Sequence, residues 1–404
     1  MNDMPYLLRP LALSALALAL LAPPALARVK LITLPVRQRV EVQLDHDQAT
    51  LVEEERIVPL VKGTNQVDFS WAGTRIDPGT IVFRVLGPAG EEDGDMAVNV
   101  LSVSYPPGEN ALVWDVSASR SGSALVRISY LLGGLDKGYN YRAVAEHDEQ
   151  TLTLAQYIRV KNFAGEEFDD ANVNLGVGDD FEKPIGLNET KEMLVNRTVG
   201  VPIVKTYTAD PATFDYLDRP QNKLRVPMHY VIHNDEEHKL GQAPLPHGKV
   251  RIFQKDAPGE DATTAFLGED WGGFTPIDDK MKLYLGVAQD IVVKRTIDQR
   301  ITNRVAGKLY DYHVVIKYEI ENFKDQKVTL DIAEVIEHVR QETNLRSGQN
   351  AEWVIGEQTT LKNGPDAEDS NQHRVVFHAD LPARDGDKAE KITHKLHLVF
   401  KHQW

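Results

Sequence analysis

Apolar and polar residues alternate one by one along much of this chain, and this alternation restricts the fold more than any other feature. In residues 39–44, Val40, Val42 and Leu44 are interleaved with polar residues. Successive side chains of a β-strand point to opposite faces, so the pattern predicts a strand with one face in a core. The same pattern recurs in residues 98–103, 125–130, 151–154, 249–253, 328–332 and 395–400.

Turn-forming sequences separate these stretches, because Gly and Asn allow positive φ angles and Pro fixes φ. They are Gly63-Thr64-Asn65, Asp77-Pro78-Gly79, Pro106-Pro107-Gly108, Gly133-Gly134, Asp256-Ala257-Pro258-Gly259 and Lys362-Asn363-Gly364-Pro365. The best helix candidate is 333–343, although its Val335 and Ile336 suit a strand equally well. We predict an all-β fold of two or three antiparallel sandwich-like units with few short helices.

The first 27 residues have the features of a secretory signal peptide. Arg9 precedes an apolar run from Leu11 to Leu21, and Ala25-Leu26-Ala27 forms a small-residue cleavage site. The run is shorter than the roughly 20 residues that a membrane-spanning helix needs. We expect cleavage after Ala27 and a periplasmic or extracellular location.

A glycine-rich segment near 133–138 indicates a domain boundary. We therefore expect an N-terminal β domain over 28–132 and a C-terminal β-rich domain over 133–404. A faint repeat links 161–175 to 321–332, because Asn162 and Asn322 each precede Phe and a polar loop. The Asn amide bonds nearby backbone and tolerates left-handed geometry, which suggests a strand, an Asn turn and a second strand.

Charge and cysteine content exclude several classes of function. The chain has 45 Lys plus Arg against 60 Asp plus Glu, a net charge of −15. This charge repels nucleic acid and anionic membranes unless basic residues are strongly segregated, and no basic run stands out. The absence of cysteine excludes disulfides, thiol catalysis and thiolate zinc sites.

Metal ligands are not indicated by histidine spacing. The close pairs are His229 with His233, His373 with His378, and His394 with His397. On a strand, the first pair shares a face but lies about 13 Å apart, and the other two pairs face opposite sides. The acidic segment Glu91-Glu92-Asp93-Gly94-Asp95 offers oxygen ligands for calcium, with a solvated loop as the alternative.

Catalytic motifs are also missing from the sequence. Carboxylate runs such as Glu53-Glu54-Glu55 point to alternate faces of a strand and do not form a glycosidase pair. The chain has no Gly-x-Ser-x-Gly motif, and Ser121-Gly122-Ser123 has no adjacent base. No phosphate-binding loop or dinucleotide fingerprint occurs. The sequence therefore predicts no catalytic, cofactor-binding or metal-ligating residue.

The five tryptophans are Trp71, Trp114, Trp271, Trp353 and Trp404. Burial or an edge position is the default for such scattered rings. Trp271 differs, because it lies in Glu269-Asp270-Trp271-Gly272-Gly273-Phe274, where an exposed ring could bind a partner. We expect a recognition loop over 269–276, and we expect a Gly-Ser link in its place to leave stability nearly unchanged.

Several segments together resemble a known bacterial family. They are Tyr130-Leu131-Leu132, Tyr139-Asn140-Tyr141-Arg142-Ala143, residues 157–168, 246–253, 275–279, 283–286 and 318–323. From Gly133 to Trp404 the chain resembles domain of unknown function 4139, the C-terminal domain of mucoidy-inhibitor-type proteins. Residues 51–81 are similar to the strand-rich segment that often precedes this domain. The resemblance implies a β-rich exported protein and brings no catalytic residue set with it.

These observations favour an exported, non-enzymatic interaction or structural protein of the bacterial envelope. The alternatives are a carbohydrate-binding or carbohydrate-active protein and then a metal-dependent hydrolase. Two carboxylates under an exposed Trp would favour the first alternative, and three ligands around one point the second. The expected partner is a protein or envelope component, with no nucleic acid, no cofactor and no membrane span after signal removal.

Overall fold

The computed structural model describes residues 30–44, 46, 49–90, 96–169, 171–176, 181–182, 184–259, 261–345, 352–361, 370–386 and 388–403. The signal peptide, the acidic segment 91–95, the turn at 362–365 and Trp404 lie outside these residues. Strands contain 63% of the chain and helices 3%. The predicted all-β fold class is confirmed.

Twelve strands come first in the chain. They are β1 (Lys30–Thr33), β2 (Arg37–Gln43), β3 (Thr50–Leu60), β4 (Gly63–Ser70), β5 (Val82–Pro88), β6 (Val98–Ser104), β7 (Ala111–Ala118), β8 (Gly122–Leu132), β9 (Leu135–Ala145), β10 (Thr151–Asn162), β11 (Asn172–Asn174) and β12 (Phe181–Glu182). A short 3₁₀ helix, Pro78–Thr80, precedes β5. The segment Gly63-Thr64-Asn65, predicted as a turn, begins β4 instead.

Thirteen further strands follow. They are β13 (Thr190–Ala209), β14 (Tyr216–Asp218), β15 (Lys223–Leu224), β16 (Pro227–His233), β17 (Gly248–Lys255), β18 (Thr264–Gly272), β19 (Lys280–Val287), β20 (Ile291–Ala306), β21 (Leu309–Asn322), β22 (Val328–Val335), β23 (Trp353–Ile355), β24 (Arg374–Leu381) and β25 (Lys391–Gln403). All seven stretches that alternate in the sequence fall in strands, apart from Leu44, which follows the last residue of β2.

The single α-helix of the described chain, α1 (Ile336–Glu342), is shorter than the predicted 333–343. Residues 333–335 complete β22 because each pairs with β24, ending with Val335 opposite Arg374. Val335 is thus the last residue of β22, and Ile336 is the first residue of α1. Within the described residues, no helix is long and apolar enough to cross a membrane.

The chain divides into two compact units. The first contains the residues up to Lys137 together with Val160–Lys191. Its sheets have the strand orders β1-β4-β7-β6 and β12-β11-β2-β3-β8-β5. The segment 160–191, which we expected in the C-terminal domain, belongs here because β11 pairs in parallel with β2. Phe69, Trp114 and Tyr130 form an aromatic cluster in this unit's core.

The second unit contains Gly138–Arg159 and Glu192–Trp404. One sheet has the order β18-β17-β9-β10-β13-β16-β19, with β22 beside β13 and β24 beside β22. A second sheet has the order β14-β15-β20-β21-β25-β23. One hydrophobic core of this unit includes Tyr141 of β9 and Val250 and Ile252 of β17. The other core includes Ile316 and Phe377.

Most strand pairs are antiparallel, as predicted, but four described pairs are parallel. These are β1 with β4, β11 with β2, β17 with β9, and β13 with β22. Each joins strands that are separated along the chain, as parallel pairing requires a crossover rather than a hairpin.

Candidate functional site

The tryptophan rings occupy different environments. Trp71 and Trp114 are buried in the first unit, and Trp353 is partly buried. Trp271 has 57% of its surface exposed, so its predicted exposure is confirmed. An exposed indole on a rigid sheet provides a large apolar contact at low entropic cost, which makes Trp271 the starting point for a site.

The ring of Trp271 is exposed but oriented. It lies in β18, opposite Lys249 of β17, and not in the loop that the sequence predicted. The indole stacks on the imidazole of His247, with centroids 5.0 Å apart and planes 6° apart. The Nζ atom of Lys249 lies 5.3 Å from the indole centroid, within cation–π range. These contacts hold the ring in one orientation before any ligand arrives.

A second aromatic pair lies at the other end of the same two strands. Phe253 of β17 and Phe266 of β18 are opposite one another and meet edge to face at 5.4 Å. The guanidinium of Arg142, on β9, lies 4.9 Å from the Phe253 centroid. Five residues separate Phe266 from Trp271, about 16 Å along a strand.

Ion pairs connect the two aromatic ends. The carboxylate of Glu269 accepts from Lys249 Nζ at 2.6 Å and from Arg251 Nε at 3.4 Å. The hydrogen bond from Lys249 lowers the pKa of Glu269. We call this surface the aromatic–basic strip. It consists of Arg142, His247, Lys249, Arg251, Phe253, Phe266, Glu269 and Trp271.

The strands under the strip are fixed by close packing. Gly248 and Gly272 pair with one another at the ends of β17 and β18. A Cβ on Gly248 would lie 2.4 Å from the Tyr139 carbonyl oxygen, and one on Gly272 would lie 2.9 Å from Met281 Sδ. Close approach to the β9 backbone therefore requires glycine at 248, whereas a side chain at 272 would displace the flexible end of Met281.

The segment after β18 is anchored, which corrects the expectation that it could be replaced freely. Thr275 is buried and exchanges backbone hydrogen bonds with Leu245 in both directions. The Asn234 amide donates to the carbonyls of Thr275 and Pro276. Phe274 in this segment is 63% exposed. A Gly-Ser link would remove these anchors as well as the aromatic contact.

The histidine pairs are not brought together as metal ligands. The His229 ring faces Tyr284 at 5.6 Å, whereas the His233 ring stacks on His238 at 4.7 Å. The His397 ring of β25 stacks on the His313 ring of β21, with centroids 5.2 Å apart. Among the residues that the structure describes, no group of three or more His, Asp or Glu side chains could hold a metal ion.

The run of three glutamates in β3 alternates between faces, as predicted. Glu54 is fully buried, where Arg37 and Arg56 both pair with its carboxylate. Glu53 and Glu55 are on the opposite face, where Glu55 pairs with Arg127 of the neighbouring β8 and Glu53 pairs with Arg84 of β5, one strand further away. Each carboxylate is engaged structurally, so this run does not form a catalytic pair.

Most residues of the aromatic–basic strip around Trp271 are not predicted as site residues from the sequence. The alternation in β17 does indicate that Lys249, Arg251 and Phe253 share the face opposite Val250. The assignment of Phe266 to this surface required the register of β18, which shifts between Ile252 and Phe253. A bulge of this kind adds one residue to the strand, so that the residues after it point to the opposite face of the sheet from the one that simple alternation predicts. No local signal in the sequence marks its position.

No family model matches the chain, and a search of curated proteins finds no match either.

Proposed function

We propose that this chain is an exported, non-enzymatic interaction or structural protein of the bacterial envelope, and that its partner binds the aromatic–basic strip. The observation that carries the proposal is the exposed Trp271 ring, which is held by His247 and Lys249 on paired strands. Oriented aromatic and basic side chains are common among residues that dominate binding energy. The resemblance to domain of unknown function 4139 agrees with this proposal.

The surroundings of Trp271 favour binding over hydrolysis. The nearby Glu269 carboxylate is paired with Lys249 and Arg251. The neighbouring Asp270 accepts from the backbone N–H groups of Trp271 and Tyr284. A glycosidase needs two carboxyl groups on either side of a scissile bond, whereas these two are engaged in holding the strands.

A test of the strip compares capture of partners from intact envelopes. Trp271→Ala and Phe266→Ala should each weaken capture of the same partner about tenfold, because each removes a large contact at one end of the strip. Tyr105→Ala is the matched control, since Tyr105 is an exposed aromatic residue of the first unit. Equal capture by all three variants would place the contact surface elsewhere.

A carbohydrate-binding protein is the second candidate, favoured by the exposed and oriented Trp271 ring. In that case a soluble envelope glycan should compete with the captured partner and quench Trp271 fluorescence. Turnover of a glycan, peptide or ester above background by the purified chain would contradict the non-enzymatic proposal.

Export through a cleaved signal peptide is part of the same proposal. N-terminal sequencing of the exported form should begin at Arg28-Val29-Lys30. A mature form that still carries Leu11–Leu21 would contradict cleavage after Ala27.

A further inference from the structure

The end of the β20–β21 hairpin is exposed on both faces. Burial along β20 ceases after Ile297, and every residue from 298 to 310 is exposed. Strand pairing nevertheless continues, with Ile301 opposite His313 and Arg304 opposite Tyr310. We call residues 298–310 the hairpin arm. Its two bare faces distinguish it from the rest of the hairpin, which packs on a core.

The hairpin arm is ordered by its own backbone. Gly307 adopts a φ of +56° at the tip, and Arg304 Nε donates to the Gly307 carbonyl at 2.9 Å. On one edge, β21 pairs with β25 as far as Tyr310 opposite Gln403. On the other edge, the described pairing of β20 with β15 is limited to Lys294. The arm therefore presents a fixed set of side chains.

The charge of the hairpin arm is opposite to that of the whole chain. The arm contains three cations, Arg300, Arg304 and Lys308, and one acidic residue, Asp298, so its formal charge is +2, whereas the chain carries −15. The Asp298 carboxylate lies 3.5 Å from Lys395 Nζ. Among the described residues, no ion pair joins a carboxylate to the three cations, and the Arg300 guanidinium donates to the Glu342 backbone carbonyl at 3.4 Å. At physiological salt, charges beyond about 8 Å are largely screened, so the arm acts locally as a cation. The three cations are each four residues apart, so they do not form a continuous basic run in the sequence.

Apolar side chains alternate with these cations. Ile301, Val305, Leu309 and Tyr310 are all exposed. A protein groove would cover one face of a hairpin, whereas this arm offers apolar surface on both. An interfacial lipid layer can surround such an arm, with guanidinium groups on phosphates and a tyrosine at the polar boundary.

We propose that the hairpin arm attaches the protein to the surface of an anionic phospholipid bilayer. Arg300, Arg304 and Lys308 contact lipid phosphates, while Ile301 and Val305 enter the interfacial layer. A second copy of the arm is not the occupant, because two surfaces of the same net positive charge would then be brought together. The bilayer contact goes beyond the partner proposed above, since the arm and the aromatic–basic strip are different surfaces.

Flotation with phospholipid vesicles tests this attachment, using the exported form of the full chain. The protein should float with vesicles that contain phosphatidylglycerol, and not with vesicles of phosphatidylcholine alone. Binding should weaken as salt rises. The triple variant Arg300→Gln, Arg304→Gln, Lys308→Gln should lose about fivefold in affinity per charge, on the order of 100-fold in total.

A second triple variant is the matched control. Lys62→Gln, Arg225→Gln and Lys282→Gln remove the same charge from exposed positions elsewhere, and binding should be retained. The double variant Arg300→Lys, Arg304→Lys, which keeps all three positive charges of the arm, should also retain binding. An unchanged thermal midpoint establishes that each variant is folded.

Three results would overturn the proposal. Equal flotation with neutral and anionic vesicles would remove the role of charge. Equal loss in the two triple variants would show that net charge and not the arm is responsible. Absence of vesicle binding together with arm-dependent capture of an acidic protein would make the occupant a protein.

Discussion

Asn162 and Asn322 make the same two hydrogen bonds to their own loops. The Oδ1 atom of Asn162 accepts from Ala164 N at 3.0 Å, and its Nδ2 donates to the Glu166 carbonyl at 2.7 Å. The Oδ1 atom of Asn322 accepts from Lys324 N at 3.1 Å, and its Nδ2 donates to the Gln326 carbonyl at 3.0 Å. Both side chains are buried.

This shared geometry explains the faint repeat in the sequence. Each Asn ends a strand, and the strand that follows joins a different sheet: β10 leads to β11, and β21 leads to β22. The expected bonding to nearby backbone is confirmed, but the expected left-handed geometry is wrong, because neither residue has a positive φ. The buried amide fixes the point at which the chain leaves its sheet.

Substitution of either Asn should therefore destabilise the protein. Asn162→Ala and Asn322→Ala each leave buried backbone groups without partners, which should cost about 1–3 kcal/mol of unfolding free energy. Urea unfolding measures this loss. Asn99→Ala, at an exposed position, is the control and should change little. Equal stability of all three variants would mean that water replaces the amide.

A buried ion pair in the second unit should be sensitive to loss of one partner. Arg295 Nε lies 2.6 Å from the Glu334 carboxylate, and the Tyr318 hydroxyl also donates to Glu334. Glu334→Gln leaves the buried Arg295 with Glu342, at 2.7 Å, as its remaining carboxylate partner, so the expected loss is below the roughly 3–5 kcal/mol of a fully unpaired buried charge. The double variant Arg295→Met, Glu334→Leu should recover much of this stability. Chemical denaturation of the three proteins would show whether it does.

Acid should destabilise the second unit through one buried histidine, His397, and two partly buried ones, His229 and His394. Burial lowers the pKa of His229, His394 and His397 from the ordinary 6.5. The unfolded chain then binds protons more readily, so stability is complete above pH 6.5 and is lost as pH falls through 6.5 toward the folded pKa. The free energy of unfolding, measured between about pH 8 and pH 5, should decline with falling pH.

His397 provides the matched variant for this pH dependence. Its Nδ1 accepts from Gln358 N at 3.3 Å, and its Nε2 lies 3.0 Å from His313 Nδ1. Protonation of Nδ1 would oppose the Gln358 N–H, so His397→Asn should flatten the pH profile. His402→Asn, at an exposed histidine, should leave the profile unchanged. Identical profiles for both variants would assign the pH dependence to other groups.

Removal of the Trp271 ring should change the thermal midpoint less than replacement of the segment after it. Trp271→Ala should leave the thermal midpoint nearly unchanged because the ring is exposed. Replacement of residues 273–276 should lower the midpoint, because Thr275 and Asn234 anchor this segment. Trp114→Ala, in a buried core, should cost about 3–5 kcal/mol. A midpoint that falls in Trp271→Ala would assign the ring a packing role.

The sequence determined the strand content, since local alternation is sufficient to specify a strand and its two faces. The segment Val98–Ser104 illustrates the limit of that information. It alternates and forms β6, yet Val100, Leu101 and Val103 are exposed. A strand is buried only if another layer covers it, and β6 lies at the end of its sheet.

The pairing of side chains from different strands was decided by tertiary structure alone. Alternation separates Glu54 from its neighbours in β3, but it does not indicate that Arg37 of β2 and Arg56 will pair with it. Likewise, the cations of the hairpin arm lie on β20 and in the turn after it, and only the tertiary structure shows that this end of the hairpin is exposed on both faces. The face of the sheet to which each side chain points follows from the geometry of consecutive peptides in its own strand. Which side chains of other strands lie beside it depends on the free energy of the whole set of sheets.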